Sequence, residues 1–137
     1  MTVLADTGAV YALLDRSDEW HDRVLAWWGG ARRDVLLPVT ILPETTYLLH
    51  QRIGPHAEAE FIRAVDEGDF EWVGLDVRDV TRTADLLQTY RDQPIGFVDA
   101  SIVAMAERLG VTTILTTDRR HFGVIRPSHT EAFVLAP

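Results

Sequence analysis

The chain has 137 residues, 47% hydrophobic and 25% charged, with a formal net charge of −8 and no cysteine. This is one domain's worth of sequence, rich enough in apolar residues for a core, and it excludes disulfides, thiolate metal sites and cysteine nucleophiles. All 13 basic residues are arginine; the missing lysine rules out a P-loop phosphate site and Schiff-base chemistry, and the acidic balance argues against a general attraction to phosphate backbones or anionic lipid.

Residues 2–5 predict a short buried strand, after which Thr7 is placed to cap a helix carrying Val10, Leu13 and Leu14 on one side. Trp20, Val24, Leu25 and Trp28 recur at helical spacing, predicting a helix from Asp18 to Trp28 that stops at Gly29-Gly30. Val35 to Leu37 reads as a second strand. Thr40 can cap the next helix, with Pro43 tolerated in its first turn and an end near Gly54-Pro55. Residues 57–66 predict a helix, 70–75 a strand and 77–90 another helix; Pro94 and Gly96 mark a loop. A helix over 99–109, closed by Gly110, leads to a strand at 111–115 and a last edge strand at 132–135. Strands and helices alternate over 1–137 without repeat or linker, which predicts a single α/β domain, three-layered, with a mainly parallel sheet. No basic, apolar leader precedes Asp6 and no apolar window nears the length that crosses a bilayer, so a cytoplasmic protein without a membrane span is expected.

Four acidic residues punctuate this pattern where strand-like runs give way to helical ones: Asp6, Glu44, Asp99 and Asp118. In open α/β sheets reactive groups collect at the carboxyl ends of strands, so these four are expected to converge in one acidic pocket. Clustered carboxylates raise one another's proton affinity unless a cation neutralises them, and an all-oxygen set suits Mg²⁺ or Mn²⁺. Part of the net negative charge would then belong to a metal site, which leaves nucleic acid open as a substrate. One or two divalent ions could activate water, stabilise a pentavalent phosphorus and balance the leaving oxygen in phosphodiester hydrolysis. Asp6 and Asp99 are the expected innermost ligands, with Glu44 and Asp118 completing the set, while Thr7 and Thr117 could orient a carboxylate or water. Simpler roles compete: strand-end polarity for Asp6 and Asp118, helix capping for Asp99, an exposed helix face for Glu44. Asp92, beside Pro94, reads as a solvated loop residue.

Other polar candidates are weaker. His21, His50, His56 and His129 lack ligand spacing, Ser101 lacks the turn of a nucleophile elbow, and Trp20, Trp27 and Trp28 read as core or interface before base-stacking platform. Arg32-Arg33 and Arg119-Arg120 are the arginine pairs that could meet phosphate, the second beside the expected pocket together with His121.

The segments Val3 to Ala9, Glu44 within a helix, Phe97 to Ser101, and Thr116 to Phe122 resemble, in order and spacing, the PIN-domain family, and within it the VapC-like ribonuclease toxins of bacterial toxin–antitoxin pairs. The resemblance implies a PIN-like fold over the whole chain and assigns the family's metal-binding carboxylates to Asp6, Glu44, Asp99 and Asp118. It further implies a Mg²⁺- or Mn²⁺-dependent endoribonuclease, a homodimer formed through helices, and a cognate antitoxin whose basic C-terminal segment inserts an arginine into the pocket. A catalytically silent Mg²⁺-binding regulatory module and a DNA-directed nuclease using the same site are the alternatives. A receiver-type module would want an adjacent acidic pair and a lysine, and a haloacid-dehalogenase-type phosphatase would want aspartate where Gly8 stands.

Overall fold

The computed structural model describes residues 1–31 and 34–137. Its elements run β1 (Val3–Ala5), α1 (Thr7–Leu14), α2 (His21–Ala31), β2 (Val35–Pro38), a 3-10 turn (Val39–Ile41), α3 (Leu42–Arg52), α4 (Pro55–Asp66), β3 (Glu71–Val73), α5 (Val77–Thr89), α6 (Phe97–Leu109), β4 (Thr113–Leu115), α7 (Arg119–Val124) and β5 (Val134–Ala136). The five strands form one sheet in the order β3-β2-β1-β4-β5, and every pairing is parallel. The central strands β1 and β4 are buried at every residue, as expected for a parallel sheet covered on both faces by helices. Val3, Leu4, Leu37, Ile114 and Leu115 from the sheet meet Val10, Ile41, Leu49, Leu86, Ile102, Met105 and Phe122 from the helical layers in one continuous core.

Several local readings change. The cap of α1 is Asp6, whose carboxylate accepts from the Ala9 amide at 2.8 Å; Thr7 lies inside the helix. Thr40 caps nothing: it sits in the 3-10 turn and its hydroxyl bonds that of Ser101 at 2.8 Å, tying the β2–α3 connection to α6. Helix α2 starts at His21 rather than Asp18 and runs through both glycines to Ala31. A glycine costs a helix only about 1 kcal/mol, which a packed face tolerates, and Trp28 is anchored edge-on against Phe70 at 5.8 Å. Asp18 instead closes the turn before the helix, accepting from the Trp20 amide at 2.8 Å. Helix α6 begins at Phe97 behind a Gly96 cap, so Asp99 is in its first turn and is not the cap. The short α7, capped by Asp118, had no periodic signal long enough to predict it.

Candidate metal centre

The order of strands creates the site. From β1 the chain crosses to β2 on one side, whereas β4 pairs with β1 on the other, so the connections leaving β1 and β4 part at the carboxyl edge and open a crevice there. Asp6 directly follows β1; Thr116, Thr117 and Asp118 directly follow β4. The first turn of α6 brings Asp99 and the first turn of α3 brings Glu44. All four acids line one cleft of about 700 Å³, together with Thr7, Gly8, Thr117 and His121.

Asp6 is the deepest of them, 6% exposed. One carboxylate oxygen receives the Ala9 amide and the other the Thr116 hydroxyl. The same Thr116 oxygen accepts the Asp118 amide at 2.8 Å, so the two strand ends are stitched through a single hydroxyl. Burial raises the Asp6 carboxyl to about 7 despite these hydrogen bonds, and the charges of Asp99 and Asp118 push the same way. Burial also raises Asp99, assisted by Asp118 and Glu44 and opposed by His121. Each of the four acids therefore acts on at least one other in the cleft.

His121 stands between two of them. Its Nδ1 lies 2.8 Å from the Asp99 carboxylate and 2.9 Å from that of Asp118. Asp118 is fixed in turn by the first amides of α7, accepting from Arg120 at 3.2 Å and His121 at 3.3 Å. Thr7 is buried and its hydroxyl has no partner among the described residues. Gly8 leaves room for Thr117: a Cβ at position 8 would fall 2.4 Å from the Thr117 hydroxyl oxygen. Sequence reasoning saw only that Gly8 is not an acid; its use as a slot depends on a residue more than a hundred positions away.

The donor set fits a hard divalent cation. It consists of carboxylates and hydroxyls, it carries like charges that repel without a counter-ion, and it contains a buried Thr7 oxygen in need of a partner. Among the described residues no three of these acidic or imidazole groups already converge to metal-binding distance.

Of the groups expected to face phosphate, only His121 lines the cleft. Arg119 donates to the Pro137 carbonyl, Arg120 faces a neighbouring depression with Gln93 and Ile95, and Arg32-Arg33 lie outside the described residues. Asp92 is exposed and away from the cleft, and Ser101 is buried with its hydroxyl donating to the Val98 carbonyl at 2.7 Å. His21 donates from Nδ1 to the Ala12 carbonyl at 2.8 Å and His50 pairs with Glu58 at 3.2 Å, both on the helical flank. What the sequence did not disclose is the far wall, formed by Tyr11, Trp20, Leu48 and Arg52, and the Phe97 lip beside Asp99.

The family model of the PIN domain matches residues 3–126 of this chain. The chain belongs to the PIN-domain family. Among curated proteins, Ribonuclease VapC26 of Mycobacterium tuberculosis is 30% identical over 135 residues, covering 98% of this chain and 100% of that one. Among solved structures, M. tuberculosis VapC20, described as a sarcin-ricin loop cleaving toxin, superposes with a TM-score of 0.82 at 19% identity, covering 95% of this chain and 99% of that one. The DNA-bound VapBC complex of Salmonella typhimurium gives 0.75 at 14% identity over 98% of this chain and 96% of that one. This PIN domain therefore shares its fold with VapC20 along nearly its full length. No helix among its described residues is long and apolar enough to cross a membrane.

Proposed function

We propose that this chain is a metal-dependent endoribonuclease, the toxin of a type II toxin–antitoxin pair, that hydrolyses RNA phosphodiesters. The observation that carries this reading is the convergence of four carboxylates on one cleft, where burial and the charges of Asp99 and Asp118 raise the deepest, Asp6, to about 7. The VapC26 relative, itself named a ribonuclease, supports the substrate class. Asp6 and Asp99 would hold Mg²⁺ or Mn²⁺ most directly, with Glu44 and Asp118 completing the set. The cation would supply the Lewis acidity that lowers the pKa of water and balances charge on the phosphoryl oxygens.

The chain's own groups do the rest. Thr116 and the Ala9 amide fix the Asp6 carboxylate so that it enters the site in one orientation. Thr7 and Thr117 offer hydroxyls at the cleft floor for orienting water or carboxylate. His121 holds Asp99 and Asp118 together from the side of the cleft, which fixes the spacing of those two carboxylates. The toxin reading adds a protein partner: solved relatives include VapBC complexes and a toxin–antitoxin complex from Klebsiella pneumoniae, and an acidic cleft is complementary to a basic antitoxin tail. We expect the free toxin to be a homodimer.

The test is cleavage of end-labelled RNA by the purified protein. Mg²⁺ or Mn²⁺ should support it, EDTA should abolish it, and Asp99→Asn should reduce it by orders of magnitude with the fold retained. Full activity in chelator would overturn the metal assignment. Cleavage of single-stranded DNA at an equal rate would replace the RNA reading with the DNA-directed one.

A further inference from the structure

A nucleic-acid strand is a polyanion, and this cleft is lined by six acidic side chains: Asp6, Asp18, Glu19, Glu44, Asp99 and Asp118. A cation at the carboxylate end neutralises only that end. The far end needs its own positive group to keep an incoming strand from being repelled.

Among the described residues, Arg52 and His121 are the lining groups able to carry positive charge, and His121 is held between Asp99 and Asp118. Arg52 is engaged differently. No carboxylate pairs with it among the described residues, whereas Arg78, Arg82 and Arg108 are taken by Asp76, Glu107 and Asp79. Its guanidinium carbon rests 5.0 Å from the centre of the Tyr11 ring, a cation–π contact. Tyr11 is itself buried and pinned by its hydroxyl, which donates to Asp15 at 2.5 Å. The guanidinium is thus oriented by a rigid aromatic plane; it also faces the Tyr11 hydroxyl and feels the Asp15 charge, but no carboxylate lies within ion-pair distance of it among the described residues. The rest of its N–H fork remains open to an anion.

We infer that Arg52 is a phosphate-binding subsite, taking a backbone phosphate of the RNA other than the one being cleaved. Glu44 and Arg52 occupy the first and last turns of the same helix, α3, eight residues apart and so about 12 Å along its axis. Helix α3 therefore carries a carboxylate at one end and the guanidinium at the other, both lining the same cleft. The inference rests on the nuclease reading of the cleft, and the experiment separates the two.

Binding of a labelled single-stranded RNA decamer is measured by anisotropy across a salt series with Ca²⁺, a hard cation for the oxygen-lined end of the cleft, for wild type, R52Q and R52K. Turnover of the decamer and of a dinucleotide with one phosphodiester is then measured with Mg²⁺. R52Q should weaken decamer binding about tenfold and make the slope of log affinity against log salt shallower by about 0.7. R52K should recover the slope. With Mg²⁺, R52Q should raise KM for the decamer with kcat nearly unchanged, and should turn over the dinucleotide as wild type does. An unchanged slope and KM overturns the subsite, and an equal loss of kcat on both substrates shows a structural role instead. A wild type that binds RNA without cutting it removes the nuclease reading and leaves the salt slope to decide Arg52; one that neither binds nor cuts RNA overturns both.

Discussion

Replacing Asp6 by asparagine isolates the electrostatic strain of the metal-free cleft. Burial and the nearby Asp99 and Asp118 raise the Asp6 carboxyl from 3.8 to about 7. Between those values the folded chain holds a proton that the unfolded chain has released, so wild-type stability falls as pH rises through this window and the full loss is in place above it. At about 1.4 kcal/mol for each pH unit separating the two values, the loss totals roughly 4 kcal/mol, of which roughly 2–3 develops between about pH 5 and about pH 8. Asp6→Asn does not titrate and escapes it. Its Oδ1 can keep the Ala9 amide bond of 2.8 Å. Its Nδ2 would face Thr116, whose hydroxyl can turn its proton toward the Asp118 carbonyl at 3.2 Å and accept instead. Urea denaturation in EDTA should therefore show the mutant gaining roughly 2–3 kcal/mol on wild type between about pH 5 and about pH 8, while becoming inactive. Adding Mg²⁺ at the upper pH should stabilise wild type and leave the mutant nearly unmoved. Parallel pH profiles for the two proteins would refute the reasoning, because they would mean that Asp6 is not strained by its surroundings.

Gly8→Ala should be close to neutral in stability, since the alanine's helix preference of about 1 kcal/mol offsets the cost of displacing the Thr117 hydroxyl; it should nevertheless lower activity, and wild-type turnover would show that Thr117 need not occupy that slot. The double variant Gly8→Ala/Thr117→Ala, free of the clash, should melt higher than Gly8→Ala alone. Away from the cleft, Asp79→Ala leaves the half-shielded Arg108 guanidinium without its bidentate partner and also removes the reciprocal cap on Asp76, so thermal unfolding should show a loss of about 2–4 kcal/mol with catalysis unaltered. Co-expression with a neighbouring short gene encoding a basic-tailed protein should suppress RNA cleavage and toxicity; unabated cleavage by the co-purified pair would count against the antitoxin reading.

Much of this protein is written locally. Alternating apolar runs and helical spacing specify an α/β fold with a mainly parallel sheet. The acids at 6, 44, 99 and 118 stand out because each interrupts an apolar run just where it turns, which only a loop or a helix start at a sheet edge can accommodate. Local chemistry was misread where a nearer or tertiary partner took over. Asp6 outcompeted Thr7 as a cap, and Thr40 was recruited by Ser101, sixty-one residues away. The order β3-β2-β1-β4-β5 belongs to the tertiary structure alone, and that order places the ends of β1 and β4 side by side. So does the burial that lifts Asp6 to about 7, and so does the seat of Arg52 on Tyr11. The reason is physical: a residue's type and spacing fix what its side chain can do, but desolvation, charge coupling and ring contacts depend on distances between segments that the chain brings together only on folding.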